Sequence, residues 1–259
     1  MSILDDLAAH AKERVAQAKA LKPLEQLQAE VRALPKGNFT FRKALQQEGL
    51  SFICECKKAS PSKGLIAANF PYVEIAKAYE AAGATAISVL TEPKWFLGSK
   101  QYLQEISAVV NLPCLRKDFT VDAYMIYEAK LLGAAAVLLI CSILSDEQLK
   151  NYQDICQQLG MDAVVEAHNE GEVQRALKSG AKIIGVNNRN LQDFSVDTSN
   201  SAKLRQLIPP EIIFISESGI KNKADVEAAR SMGADAVLVG EALMRSAHIG
   251  ATLQEWKSL

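Results

Sequence analysis

No long block of like charge occurs in the 259 residues, where 29 lysines and arginines nearly balance 30 aspartates and glutamates for a net charge of −1. That balance excludes the electropositive footprint of a nucleic-acid binder and the basic face of a membrane-surface protein. The most apolar stretch, residues 134–144, is eleven residues long, too short to span a bilayer, and reads as a buried strand. The opening Met-Ser-Ile-Leu-Asp-Asp-Leu carries acid where a signal peptide needs base, so export is not expected. Cysteine numbers only five, an odd count without secretory context, which points to free thiols in a reducing cytoplasm. Cys54 and Cys56 suggest a metal pair, yet no other Cys/His cluster completes a site, and both are read as core residues. No metal or cofactor is expected.

What is present is organised around residues 52–64. Phe52-Ile53-Cys54 is apolar and suits a buried strand. Glu55 and Lys57, two residues apart, then point to one face, with Cys54 and Cys56 on the other. The strand exits into a polar loop of Ser, Pro, Lys and Gly suited to an anion. A strand that stays apolar until it ends in charge is the pattern of an α/β active site at the carboxyl ends of its strands.

The chain before this strand reads as three helices: 2–20, with Ser2 and Asp5 resembling a capping box; a second opened by Pro23 and running to 34; and a shorter one from 41 to 47, stopped at Gly49. From residue 51 the pattern alternates. Strand-like runs at 52–56, 86–90, 113–116, 135–140, 162–166, 182–186, 212–216 and 235–239 are separated by helical stretches, and a last helix begins near 241. Helix-to-strand turns at Gly83, Gly133, Gly180 and Gly233, spaced 50, 47 and 53 residues, mark a repeat of two βα units per period. Nothing resembling a linker interrupts it, and no Gly-x-Gly-x-x-Gly follows the first strand, which disfavours an open dinucleotide-binding sheet. The expectation is a closed (β/α)8 TIM barrel over 51–259 with an N-terminal helical extension over 1–50, together one domain.

In such a barrel the strand ends converge. Glu55, Lys57, Lys117, Glu166, Asn187, Arg189 and Glu217 converge from several strands on one mouth. Phe96, Phe119, Leu138, Leu191 and Leu238 supply apolar surface, so the pocket suits an aromatic, anionic, hydroxylated ligand. Ser218-Gly219 and Gly240-Glu241, at loops 7 and 8, offer bare N–H groups for a phosphate, with Ser60 and Lys63 closing from loop 1; Glu241 is expected to lend only its N–H. Glu92 and Asp118 are read as solvated loop residues, and His168 is set aside by alternation as lying opposite Glu166.

The tracts Glu55-x-Lys57-x-x-Ser60-Pro61-Ser62-x-Gly64, Leu90-Thr91-Glu92-x-x-x-Phe96-x-Gly98-Ser99, Arg116-Lys117-Asp118-Phe119, Gly185-Val186-Asn187-Asn188-Arg189-x-Leu191 and Ser216-Glu217-Ser218-Gly219-Ile220 resemble those of the indole-3-glycerol-phosphate synthase family of tryptophan biosynthesis, in its stand-alone rather than its fused form. The resemblance implies that 1-(2-carboxyphenylamino)-1-deoxyribulose 5-phosphate closes to indole-3-glycerol phosphate with loss of CO2 and water. It implies Lys117 as the leading general acid, with Lys57, paired with Glu55, orienting and polarising or donating in one of the two steps; burial beside other charges draws such an ammonium's pKa toward neutrality. Glu166 is the chosen base, Asn187 and Glu217 hold hydroxyls and lysines, and Arg189 meets the anthranilate carboxylate as a planar fork. The family also implies that the N-terminal helices pack on the barrel and partly close its mouth. The partner is thus a phosphorylated small molecule, and the chain acts as a monomer or homodimer. Two rivals remain open on the residues alone: a Schiff-base aldolase using Lys57 or Lys117, and a non-catalytic barrel that binds a phosphosugar.

Overall fold

Alternating apolar runs and amphipathic stretches cannot bury their faces singly; packed as βα units they share one core. In the computed structural model, which describes residues 3–190 and 193–258, they do so as a closed barrel of eight parallel strands. The strands are β1 Ser51–Cys56, β2 Ala86–Leu90, β3 Cys114–Lys117, β4 Ala136–Ile140, β5 Asp162–Ala167, β6 Ile183–Asn187, β7 Ile213–Glu217 and β8 Ala236–Val239. β8 closes the ring on β1 through Ser51↔Ala236 and Ile53↔Leu238. The repeat glycines 83, 133, 180 and 233 all take left-handed φ between 80° and 88°, the conformation that ends each helix before the next strand.

Alternation sorts the side chains into two shells. Ile53, Ala86, Leu115, Ala136, Val164, Ile183, Ile213 and Ala236 fill the barrel interior. Phe52, Cys54, Cys56, Val89 and Cys114 face outward, packed with Ala76, Tyr79 and other helix residues. All five cysteines are buried free thiols.

The N-terminal helices address both ends of the barrel. α1 (Ile3–Leu21) lies along the carboxyl mouth, tied by Arg14 to Asp118 and by Lys19 to Asp122. α2 (Leu24–Arg32) helps bury Leu27 against Tyr124 and Met125 of the helix Ala123–Leu131. α3 (Thr40–Leu45) plugs the amino end: Phe41 and Leu45 join the interior core, and the Arg42 N–H donates to Asp162 at the start of β5. The Ser2 half of the expected capping box lies outside the described residues. The expected last helix is two, Glu241–Met244 and Ile249–Lys257, parted where Ser246 Oγ accepts the His248 N–H.

Candidate active site

Each strand's inner face is aliphatic below and, on most strands, polar at its end. β1 delivers Glu55, β3 Lys117, β5 Glu166, β6 Asn187 and β7 Glu217 into one cavity of about 750 Å³. Every other site residue expected from sequence and described here also lines it: Lys57, Ser60, Phe96, Phe119, Leu138, Arg189, Ser218, Gly219, Leu238, Gly240 and Glu241. Leu191 lies outside the described residues.

Two pairings organise the polar wall. Lys57 Nζ sits 2.7 Å from Glu55 Oε1, and Ser88 Oγ of β2 donates to Glu55 Oε2 at 3.2 Å. Across the mouth, Lys117 Nζ lies 3.4 Å from Glu166 Oε2 and 3.6 Å from Glu217 Oε2. Asn187 Nδ2 donates to Glu166 Oε1 at 3.2 Å, while its Oδ1 accepts from Ser218 Oγ at 2.9 Å and the Arg189 N–H at 3.0 Å. Two glycines make room. A Cβ at Gly185 would stand 2.1 Å from Glu217 Oε1, and one at Gly240 would stand 2.6 Å from Glu55 Oε1 and 2.9 Å from Lys57 Nζ.

Burial disfavours every charge here, so neighbours decide each ionisation state. Burial works against the Lys117 ammonium, but Glu166, Glu217 and Glu55 outweigh it and hold its pKa well above the ordinary value. The expected drift toward neutrality is therefore reversed, because three carboxyl groups surround one ammonium. Burial likewise opposes ionisation of Glu55 and Glu166, yet Lys57 with Lys117 pulls the first below the usual range, and Lys117 with His168 pulls down the second. Glu217 gives way instead: burial, with Glu166 and Glu55 against it, pushes its carboxyl up to about 8 despite Lys117. The difference is in donors. Glu166 Oε1 has the Asn187 amide, whereas Glu217 Oε1 has no hydrogen-bond partner among the described residues.

Loop 1 folds over as a small antiparallel ladder of Ala59–Ser60 on Gly64–Leu65, which places Ser60 buried at the cavity. Its Lys63 Nζ reaches to 3.9 Å from Glu241 Oε1, and Arg245 Nε holds the same oxygen at 3.2 Å. Glu241 thus does not simply turn away; its carboxylate is neutralised by two flanking cations. Arg189 gives one guanidinium N–H to the Phe194 carbonyl at 3.1 Å. Phe96 and Phe119 form the apolar wall, their ring centroids 6.1 Å apart.

Three expectations are corrected. Glu92 and Asp118 are not solvated: they are 0% and 2% exposed. Glu92 accepts the backbone N–H groups of Lys94, Trp95 and Phe96 at 2.8–3.0 Å and pairs with His10 at 3.2 Å. Asp118 takes a two-pronged bond from Arg14 at 2.7 and 3.1 Å and one from Thr91 at 2.6 Å. His168 does not oppose Glu166. Residues two apart share a strand face, and its Nε2 lies 3.3 Å from Glu166 Oε1.

Residues that sequence reasoning missed include Ser88, whose signal was a lone hydroxyl at an inward position of Ala-Ile-Ser-Val-Leu, and Ile3 and Leu7, which bring α1 into the cavity wall. Nothing local marks the last two, since their place depends on how α1 docks.

Fold and site together define a (β/α)8-barrel enzyme whose ionisable groups gather at the carboxyl mouth. A family model for indole-3-glycerol phosphate synthase matches residues 4–256. The indole-3-glycerol phosphate synthase of Ruminiclostridium cellulolyticum is 55% identical over 252 residues, 97% of each chain. That of Endomicrobium trichonymphae is 54% identical over 256 residues, 98% of this chain and 99% of its own. Among solved structures, thiamine phosphate pyrophosphorylase from Pyrococcus furiosus shares the fold alone, with a TM-score of 0.62 at 16% identity over 84% of this chain and 96% of that one. This chain belongs to the indole-3-glycerol phosphate synthase family.

Proposed function

We propose that the cavity binds 1-(2-carboxyphenylamino)-1-deoxyribulose 5-phosphate and converts it to indole-3-glycerol phosphate, CO2 and water. The observation that carries this reading is a protonated lysine set between two carboxylates of opposite character, Glu166 and Glu217, facing the Glu55–Lys57 pair across one cavity.

The aromatic ring lies along Phe96 and Phe119, with Leu138 and Leu238 below. The ring carbon bearing the carboxylate attacks the ketone, and the carbonyl oxygen becomes an alkoxide as the bond forms. An alkoxide is far more basic than a ketone, so the Lys117 ammonium, poor as an acid at rest, passes its proton only as that charge develops. Lys57, oriented by Glu55, polarises the same oxygen. Carbon–carboxylate cleavage returns its electron pair to the cationic ring system, which is its own electron sink, and CO2 departs. Dehydration then needs an acid for the departing hydroxyl and a base for the ring proton; Glu166 takes that proton. Asn187 and Glu217 hold hydroxyls and Lys117, and Arg189 meets the carboxylate.

The phosphate sits at Ser218-Gly219 and Gly240-Glu241, closed by Ser60 and Lys63, whose charge with that of Arg245 offsets Glu241. The cytoplasmic setting suggested by free thiols is part of the same proposal, as is action as a monomer or homodimer. No helix among the described residues is long and apolar enough to cross a membrane.

Incubation with the substrate should release CO2 and develop indole fluorescence; binding without either would overturn the reading. A Schiff-base route needs a neutral amine, and the carboxyl groups around Lys117 keep it charged. Borohydride in the presence of a keto-sugar phosphate should therefore leave no stable adduct on Lys117.

A further inference from the structure

His168 follows β5 by one residue and stands behind Glu166, outside the cavity lining. Its ring is gripped from several elements. Nδ1 lies 3.2 Å from Glu172 Oε2, an oxygen that also accepts the His168 backbone N–H at 2.8 Å. Glu172 stands in the first turn of the helix Glu170–Lys178, and its other oxygen accepts from Ser142 Oγ at 2.8 Å. The His168 carbonyl accepts the Asn200 amide at 3.1 Å. What remains is Nε2, buried, without a hydrogen bond, and 3.3 Å from Glu166 Oε1.

We infer that His168 is a positioning residue for the dehydration step: it fixes the Glu166 carboxylate from behind and supplies a second positive partner opposite Lys117. This rests on Glu166 being the base. The groups facing the imidazole are Glu166 from β5, Glu172 from the following helix and Glu217 from β7, with Lys117 beyond Glu166. The Cys141 thiol, after β4, is pushed up by burial to about 12 and stays neutral, as do Ser142 and Asn200. Burial opposes the imidazolium, but the Glu172 bond and the three carboxylates outweigh it, so His168 lies above its ordinary range. Glu172 therefore sets the histidine, and the histidine sets the base, with no contact between Glu172 and the cavity.

The test is the pH dependence of kcat for His168→Asn, which keeps a short polar group but no cation. Glu166 must be ionised to accept a proton, and losing a neighbouring cation raises its pKa. The acidic limb should move to higher pH by about one unit, with kcat at neutral pH down roughly tenfold and KM changed much less. Rapid-quench analysis should show the hydroxylated ring-closed intermediate building up. Glu172→Gln, which leaves His168 in place, should move the limb the same way by less, and it serves if His168→Asn folds poorly. Limbs that superimpose on the wild type in both variants would overturn the inference. Glu166→Gln separates the two readings: if it retains full activity the base assignment itself fails, whereas if it blocks dehydration and the limbs stay put, only the role of His168 falls.

Discussion

Two clusters of buried charge stand side by side at the barrel mouth, and they are built to opposite rules. At the ends of β2 and β3, Glu92 and Asp118 are enclosed by donors: three backbone N–H groups, Thr91, Arg14 and Arg116. Across the cavity, Glu55, Glu166 and Glu217 share two lysines, and Glu217 Oε1 and His168 Nε2 go without a hydrogen bond among the described residues. A carboxylate with its lone pairs filled is fixed in charge and place. One left short of donors is poised, because its proton can be gained or lost at small cost. The first cluster holds α1 and the loop carrying Phe96 onto the barrel; the second turns ionisable groups toward the cavity. Adjacent residues belong to different clusters: Lys117 points inward, while Arg116 and Asp118 flank it on the outer side.

The largest effect expected from breaking this division is at Lys117. Lys117→Met should lower kcat roughly 100- to 10,000-fold, the range of a lost general acid, in a steady-state assay. Folding should suffer less, since Glu166 can take up a proton once the ammonium is gone and Glu217 already carries one at neutral pH. Arg116→Met, one residue away, should do the reverse. It takes a guanidinium that is 1% exposed from Asp118 and Glu128, which keep Arg14 and Lys100, and should cost about 3 kcal/mol in denaturant unfolding, a large share of a domain's stability. Equal loss of activity per folded molecule in both variants would mean the clusters are not separable.

The clusters should also answer pH in opposite directions. Burial works against the Asp118 charge, but Arg116, Arg14 and Thr91 outweigh it and hold the carboxyl at about 2, below its ordinary 3.8. The unfolded chain then binds the proton first, so Asp118 contributes stability above pH 4 that is lost as pH falls toward 2, on the order of 2 kcal/mol in all. Glu217, raised to about 8 from an ordinary 4.5, keeps a proton that the unfolded chain has released. Between those values its contribution falls as pH rises. Melting temperature against pH should show the acid-side loss abolished in Asp118→Asn and the downward slope from pH 5 to 8 flattened in Glu217→Gln.

How much of this was legible beforehand follows the range of the interactions. All eight strands end within one residue of the positions expected from alternation and turn glycines, because both signals are local. The cavity wall was legible for the same reason: once the strands are known, their last inward residues follow. Glu92 and Asp118 were misread because their exposure depends on His10 and Arg14, which are 82 and 104 residues distant. The rise of the Lys117 pKa was hidden similarly, since Glu55, Glu166 and Glu217 come from three other strands. His168 is a different case. Its position two residues from Glu166 was in plain view, and a correct count of strand parity would have placed it beside that carboxylate.

The smallest effect sharpens the comparison within the second cluster itself. Glu166 and Glu217 are both buried, 2% exposed, and both within 3.6 Å of Lys117 Nζ, so position alone would assign them equal parts. Their donors separate them. With the Asn187 amide on it and His168 Nε2 at 3.3 Å, Glu166 is ionised at neutral pH; Glu217, without the amide and with a weaker pull from His168, is held up to about 8. A glutamine copies a protonated carboxyl closely and an ionised one badly. Glu166→Gln should therefore cost at least about 100-fold in kcat, the scale of a missing base, whereas Glu217→Gln at pH 7 should cost only a few-fold. Above pH 8 the ranking should change, because wild-type Glu217 ionises there and the glutamine cannot. A third carboxylate charge would then face an anionic substrate in the wild type alone, so KM for the wild type should rise with pH while that of Glu217→Gln stays flat. A large loss in Glu217→Gln at pH 7, comparable to that in Glu166→Gln, would mean that both carboxylates act ionised and that the donor argument does not decide their roles.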